Sequence, residues 1–113
     1  MATLPNAHLA FVEQAKLSSY LLDPSHEDGG PKSKFLESIG FHLDRPSDLE
    51  AALLGHAAAN EATEIATPFG VKYHVDGILF SPTGRSAYVR TVWQIDTGTT
   101  APRFVTLRPR VKR

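Results

Sequence analysis

The chain has 113 residues, 42% apolar and 21% charged, with 12 Lys and Arg balancing 12 Asp and Glu and no cysteine. That composition excludes a disordered chain, a fibre and a coiled coil, and it points to one domain over 1–113. It also excludes a disulfide framework, a thiol nucleophile and every Cys-ligated metal site.

Glu13–Leu22 (EQAKLSSYLL) predicts a first helix, closed by Asp23-Pro24 because the residue before proline avoids the helical region. Leu17, Tyr20 and Leu21 share one face at i, i+3 and i+4. The preceding His8–Val12 reads as a short strand. Pro24–Gly30 (PSHEDGG) is a turn-rich loop, and Pro31 suits a first helical position. A second helix is therefore expected over Pro31–Ile39, with Phe35 and Ile39 inward and Gly40 ending it. Ser47 with Glu50 three residues on makes a capping box. The third helix then runs from Asp48 to about Ala59, burying Leu49, Ala52, Leu53 and His56 or its neighbours. Gly55 weakens it by up to about 1 kcal/mol relative to alanine.

Near residue 60 the apolar period changes from helical to alternating. Four strands are expected: Thr63–Thr67, Val71–Phe80, Ser86–Asp96 and Arg103–Leu107. Pro68-Phe69-Gly70 and Ser81-Pro82-Thr83-Gly84 supply the first two turns, and Thr97–Pro102 a looser third. Val71, Tyr73 and Val75 face one way, and Lys72, His74 and Asp76 the other. In the third strand Ala87, Val89, Thr91, Trp93 and Ile95 form the apolar set. The fold class is thus α+β: a helical half over 1–60 packed on a four-stranded antiparallel meander over 61–107, followed by a basic tail over 108–113. No run approaches the roughly 20 apolar residues of a membrane span. Met1–Asn6 lacks the features of a signal peptide, so a cytoplasmic protein with no membrane association is expected.

The zero net charge divides unevenly. Residues 1–60 sum to −4 and residues 61–113 to +4. Such asymmetry suits an anion-binding surface, nucleic acid included, although halves lying side by side simply neutralise each other. Three groupings could carry chemistry. His26 precedes Lys32 and Lys34 at a helix start, where free backbone N–H groups attract phosphate; the bland alternative is a solvated loop, with Glu27 and Asp28 diluting the field. Lys72, His74, Arg90 and Tyr88 share the polar sheet face, which can equally be an ordinary charged solvent face. Arg103, Arg108, Arg110, Lys112 and Arg113 form a basic arm that can bind RNA or serve only solubility. No glycine-rich phosphate loop and no HExxH pattern occurs, so neither a metal nor a cofactor is expected. His42 and His56 are isolated, and Trp93 and Phe104 are most simply core.

The order of landmarks resembles a small bacterial domain family of unknown function over residues 4–107. Lys16-Leu17 with Tyr20-Leu21-Leu22, then Gly30, Lys32, Lys34, Phe35, Gly40 and Phe41, carry its first half. Thr67-Pro68-Phe69-Gly70-Val71-Lys72-Tyr73, Gly84-Arg85 and Val89-Arg90-Thr91-Val92-Trp93 carry its second. Such domains occur in toxin–antitoxin pairs and at the ends of larger toxins. Their helices-then-strands layout is similar to the barnase/colicin/RelE-like ribonuclease toxins. The resemblance implies a toxin that cleaves RNA without a metal and has a cognate antitoxin as partner. His26 or His74 is then the expected general base or acid, with Arg90 steadying the phosphate. Lys32, Lys34 and Arg85 would contact phosphate, with Lys72 nearby. The neutral charge departs from the more basic toxins of that group. A non-enzymatic module that docks a partner on its open sheet face or an edge strand, or an immunity-type or small-ligand protein, stays open. An enzyme should gather His with Arg and Lys in one cleft; a binding module should expose an apolar patch. Oligomeric state is left open.

Overall fold

A computed structural model describes residues 2–23, 25–27 and 30–110. Pro24, Asp28 and Gly29 of the expected loop and residues 111–113 of the basic tail lie outside the described residues. Three N-terminal helices precede a four-stranded antiparallel meander, as the change of apolar period requires. No described helix is long and apolar enough to cross a membrane.

The N-terminal segment is not the expected strand. It makes one 3-10 turn, Ala7–Leu9, and among the described residues its backbone pairs with the sheet only through isolated bridges, Thr3 with Glu61 and Phe11 with Arg103. Asn6 breaks the extended path with a left-handed φ of 54° and donates Nδ2–H to the Thr100 carbonyl at 3.1 Å. The segment thus crosses from one sheet edge to the other, anchored by buried Leu4 and Val12.

Helix α1 is a turn, Gln14–Lys16, that widens into a π-helical stretch, Leu17–Leu21, closed by Leu22 N–H on Leu17 O at 2.9 Å. The wider turn stacks Leu17 over Leu21, both fully buried, and swings Tyr20 off their line. Tyr20 is half-buried against the core rather than fully buried like the two leucines, and its hydroxyl reaches Lys32 and Thr106. Helix α2 spans Gly30–Ser38 and buries Leu36 fully, with Ile39 just beyond it; Phe35 is half-buried against the same core. Gly40, at φ +108°, ends it as expected. Helix α3 spans Pro46–Ala59 and buries Leu49, Leu53, His56 and Ala57. The expected capping box does not form, because the helix starts before Ser47. Proline, which lacks the N–H left unpaired there anyway, occupies the first position, and Arg45 pairs with Asp48 instead (3.1 Å).

The strands are β1 (Ala62–Thr67), β2 (Gly70–Phe80), β3 (Ser86–Asp96) and β4 (Arg103–Pro109), in that spatial order. Strand β4 runs past the expected Leu107, so Arg108 belongs to the sheet. On the helix-covered face Tyr73 sits opposite Trp93, Val75 opposite Thr91, and Gly77 opposite Val89. A bulge between Val92 and Trp93 lets both Phe104 and Leu107 turn inward. Trp93 meets Phe104 edge to face at 5.3 Å.

One polar thread crosses this core. The Trp93 indole can only donate, so Thr91 Oγ1 accepts from it at 2.8 Å, and the same hydroxyl is hydrogen-bonded to His56 Nδ1 at 3.1 Å. His56 Nε2–H then donates to the Gly77 carbonyl at 3.2 Å. Burial disfavours the charged form of His56 in this thread. A Cβ at Gly77 would overlap the Asn60 side chain, which would have to shift to admit it.

Candidate functional site

The expected site residues fall in several places. Lys72, His74 and Arg90 share the open sheet face, as the alternation implies. There Arg90 is engaged by Asp76 through Nε to Oδ1 (2.8 Å) and Nη2 to Oδ2 (3.0 Å). The guanidinium holds the Asp76 carboxyl below its ordinary range. His74 lies in a shallow depression with Glu61, Thr63, Asp76 and Tyr88. Partial burial, then the charge of Arg90, lowers its pKa. Arg85 is a surface strut, donating Nη1–H to the Ser38 carbonyl at 2.9 Å. Lys34 projects with Glu37 and Ser38 from the outer side of α2.

His26 and Lys32 come together elsewhere, in a cleft of about 830 Å³ where α1, the start of α2 and β4 meet. Its walls include Lys16, Ser19, Tyr20, Thr106 and Arg108, and Glu13 is the acid among its described lining residues. Tyr20 reaches it because of the π turn, and Lys32 because the first turn of α2 faces β4.

Lys32 Nζ donates to Tyr20 Oη and to Thr106 Oγ1, both at 2.7 Å. The two hydroxyls also bond each other at 2.9 Å. Lys16 Nζ stands 5.2 Å from the Tyr20 ring centroid, and the His26 ring meets Tyr20 edge-on at 5.1 Å. Burial alone would raise the Tyr20 phenol. The hydrogen bonds of Lys32 and Thr106 and the charges of Lys32 and Lys16 outweigh it, so the phenol lies below its ordinary value. The site therefore holds a phenol with a lowered pKa, an imidazole beside it, two ammonium groups near the phenol and a guanidinium in the cleft lining. Such a set can take a proton from a hydroxyl and steady a phosphate.

Lys16, Tyr20 and Thr106 are not among the residues singled out from sequence chemistry, and Arg108 enters there only as part of the basic arm. Lys16 and Tyr20 did carry the family resemblance, together with Lys32. Arg108 is also the cross-strand neighbour of Arg90, so the cleft rim and the open face join there. Among the described residues, no three His, Asp or Glu side chains are grouped to hold a metal ion.

A family model described as a domain of unknown function, DUF6883, matches residues 3–111. Among curated proteins no sequence matches the chain significantly. Among solved structures, a contact-dependent growth inhibition toxin–immunity protein complex from Klebsiella pneumoniae 342 contains a chain with this fold. The TM-score is 0.67 at 10% identity, covering 94% of this chain and 97% of that one. At that identity the likeness is one of fold.

Proposed function

The chain belongs to the DUF6883 family, and we propose that it is a toxin-type endoribonuclease whose active site is the cleft between α1, α2 and β4. The single observation that carries this reading is the Lys32–Tyr20–Thr106 triangle beside His26, with Lys16 and Arg108 completing a cationic wall. The fold likeness to a chain of a toxin–immunity complex supports it.

In the proposed reaction an RNA 2′-hydroxyl attacks the adjacent phosphorus. Tyr20 and His26 divide the proton transfers: one takes the 2′-proton, and the other protonates the 5′-oxygen as its bond to phosphorus breaks. Lys16, Lys32 and Arg108 offset the charge that builds on the phosphate oxygens. A 2′,3′-cyclic phosphate and a 5′-hydroxyl end result, and no metal ion is needed. His74, Arg90 and Lys72 lie outside the cleft and serve at most as a path for the RNA strand beyond it.

The same match favours one other reading, an immunity-type protein that binds a toxin, because the matched structure contains both partners. Purified protein incubated with RNA separates them. The toxin reading expects cleavage with chelator present, falling about 10²–10⁴-fold in Tyr20→Phe and His26→Ala and unchanged in Lys34→Ala. Intact RNA with the wild type sinks the enzyme. Full cleavage by both cleft variants moves the site elsewhere.

A further inference from the structure

We propose that β1 pairs with β1 of a second copy of this chain, joining two sheets across a twofold axis at Ile65.

Ala62 donates its N–H away from β2, to the Ala2 carbonyl at 2.8 Å. Strand geometry alternates, so Glu64 and Ala66 also point their N–H and C=O outward, while Thr63, Ile65 and Thr67 bond to β2. Among the described residues, neither Glu64 nor Ala66 makes a backbone hydrogen bond on that outer side. The N-terminal segment covers the edge at Glu61 and Ala62 only.

Edge strands of this kind are ordinarily blunted by lysine, proline, a bulge or a cover. Strand β1 reads ATEIAT and pairs with β2 in unbroken register; it has no lysine or proline, and its one charged residue, Glu64, accepts from Tyr73 Oη at 3.2 Å. Thr63, Glu64, Ile65 and Ala66 are all exposed, Ile65 at 39%.

The sequence then selects the occupant. With the axis at Ile65, Glu64 faces Ala66 of the other copy, and each such pair exchanges two main-chain bonds. Ile65 meets its own symmetry mate as a non-hydrogen-bonded pair, where side chains approach most closely. Thr63 meets Thr67. Moving the axis to Glu64 sets two like charges opposite each other and calls on the N–H of Ala62, already given to Ala2. Moving it to Ala66 sets Glu64 against Pro68, which has no N–H. The ladder is short, ended by Ala2 and Pro68, so the dimer is expected to be weak, in the micromolar range or above.

Sedimentation across about 1 μM to about 1 mM tests this, with two pairs of variants. The wild type should double in mass as concentration rises. Ile65→Lys, and Ala66→Pro, which deletes an outward N–H without touching the β2 ladder, should weaken association at least about tenfold while retaining the wild-type circular dichroism spectrum. Because the chain has no cysteine, Ile65→Cys should form an intermolecular disulfide on oxidation much faster than Glu64→Cys. A monomer at every concentration overturns the proposal. So do equal rates for the two cysteine variants, or association that both edge variants leave intact. Protection of the Glu64 and Ala66 amides only by a different protein would also overturn it and assign the edge to that partner.

Discussion

The two edges of the sheet are treated differently. At β4 the N-terminal segment lies alongside: Phe11 N–H bonds to the Pro102 carbonyl and Phe104 N–H to the Phe11 carbonyl, each at 3.0 Å. Helix α1 follows, and Lys32 and Tyr20 hold the Thr106 side chain. At β1 the same segment touches only the first residues and leaves the rest open. A covered edge can become a cleft, because elements from both halves of the chain converge on it. An uncovered edge keeps its main-chain valence for another strand.

The largest expected effect comes from removing the cover. Leu4 is 2% exposed and anchors the segment that spans both edges. Leu4→Ala should cost about 2–5 kcal/mol in urea unfolding, with aggregation following as both edges open. A loss below about 1 kcal/mol would mean that the segment rests on the sheet without holding it.

The middle of the sheet supplies a smaller, pH-dependent effect that both edges share. Burial, despite the Gly77 hydrogen bond, lowers the His56 pKa. The unfolded chain then binds the proton more readily than the folded one. Stability is complete above the unfolded value of about 6.5 and declines as pH falls from there toward the lowered folded value. Denaturation midpoints between about pH 7.5 and about pH 5 should fall on acidification in the wild type and much less in His56→Gln. His74 shifts in the same direction but is more exposed, so His74→Ala should flatten the profile only slightly. An unchanged slope in His56→Gln would place the acid sensitivity elsewhere.

These contrasts also explain what was legible in the sequence. The strands announced themselves through alternation over Val71–Phe80 and Ser86–Asp96, and through turns built on Pro68-Phe69 and Pro82-Thr83-Gly84. The polar-face grouping of Lys72, His74 and Arg90 followed from the same period. The cleft could not be read this way, because it joins Lys16, Tyr20 and His26 to Thr106 and Arg108 across most of the chain. Two local departures from regular geometry created it. The π turn moved Tyr20 out of the line that i, i+3, i+4 spacing gives, and the bulge beside Trp93 altered the alternation along β4. The split of charge into −4 and +4 halves was equally silent, since Lys16 and Lys32 from the acidic half meet Arg108 from the basic one. For the open β1 edge the signal was a lack: ATEIAT contains neither the lysine nor the proline that most often protects an edge.

The smallest effect tests whether the cleft ends at its rim. Arg90 lies beside Arg108 in the register, yet its charge is held by Asp76. Both side chains are partly exposed, so Asp76→Asn should cost only about 0.2–1 kcal/mol of stability. It would, however, release a guanidinium on the open face next to the cleft. If an RNA strand leaves the cleft over that face, the freed Arg90 adds a phosphate contact. Affinity for single-stranded RNA should rise, and its dependence on the logarithm of salt should steepen by about 0.7. The same substitution should leave β1 and its association unchanged, since Asp76 lies beyond Ala62 in the register. An unchanged salt slope would mean that no RNA strand runs over the open face at Arg90.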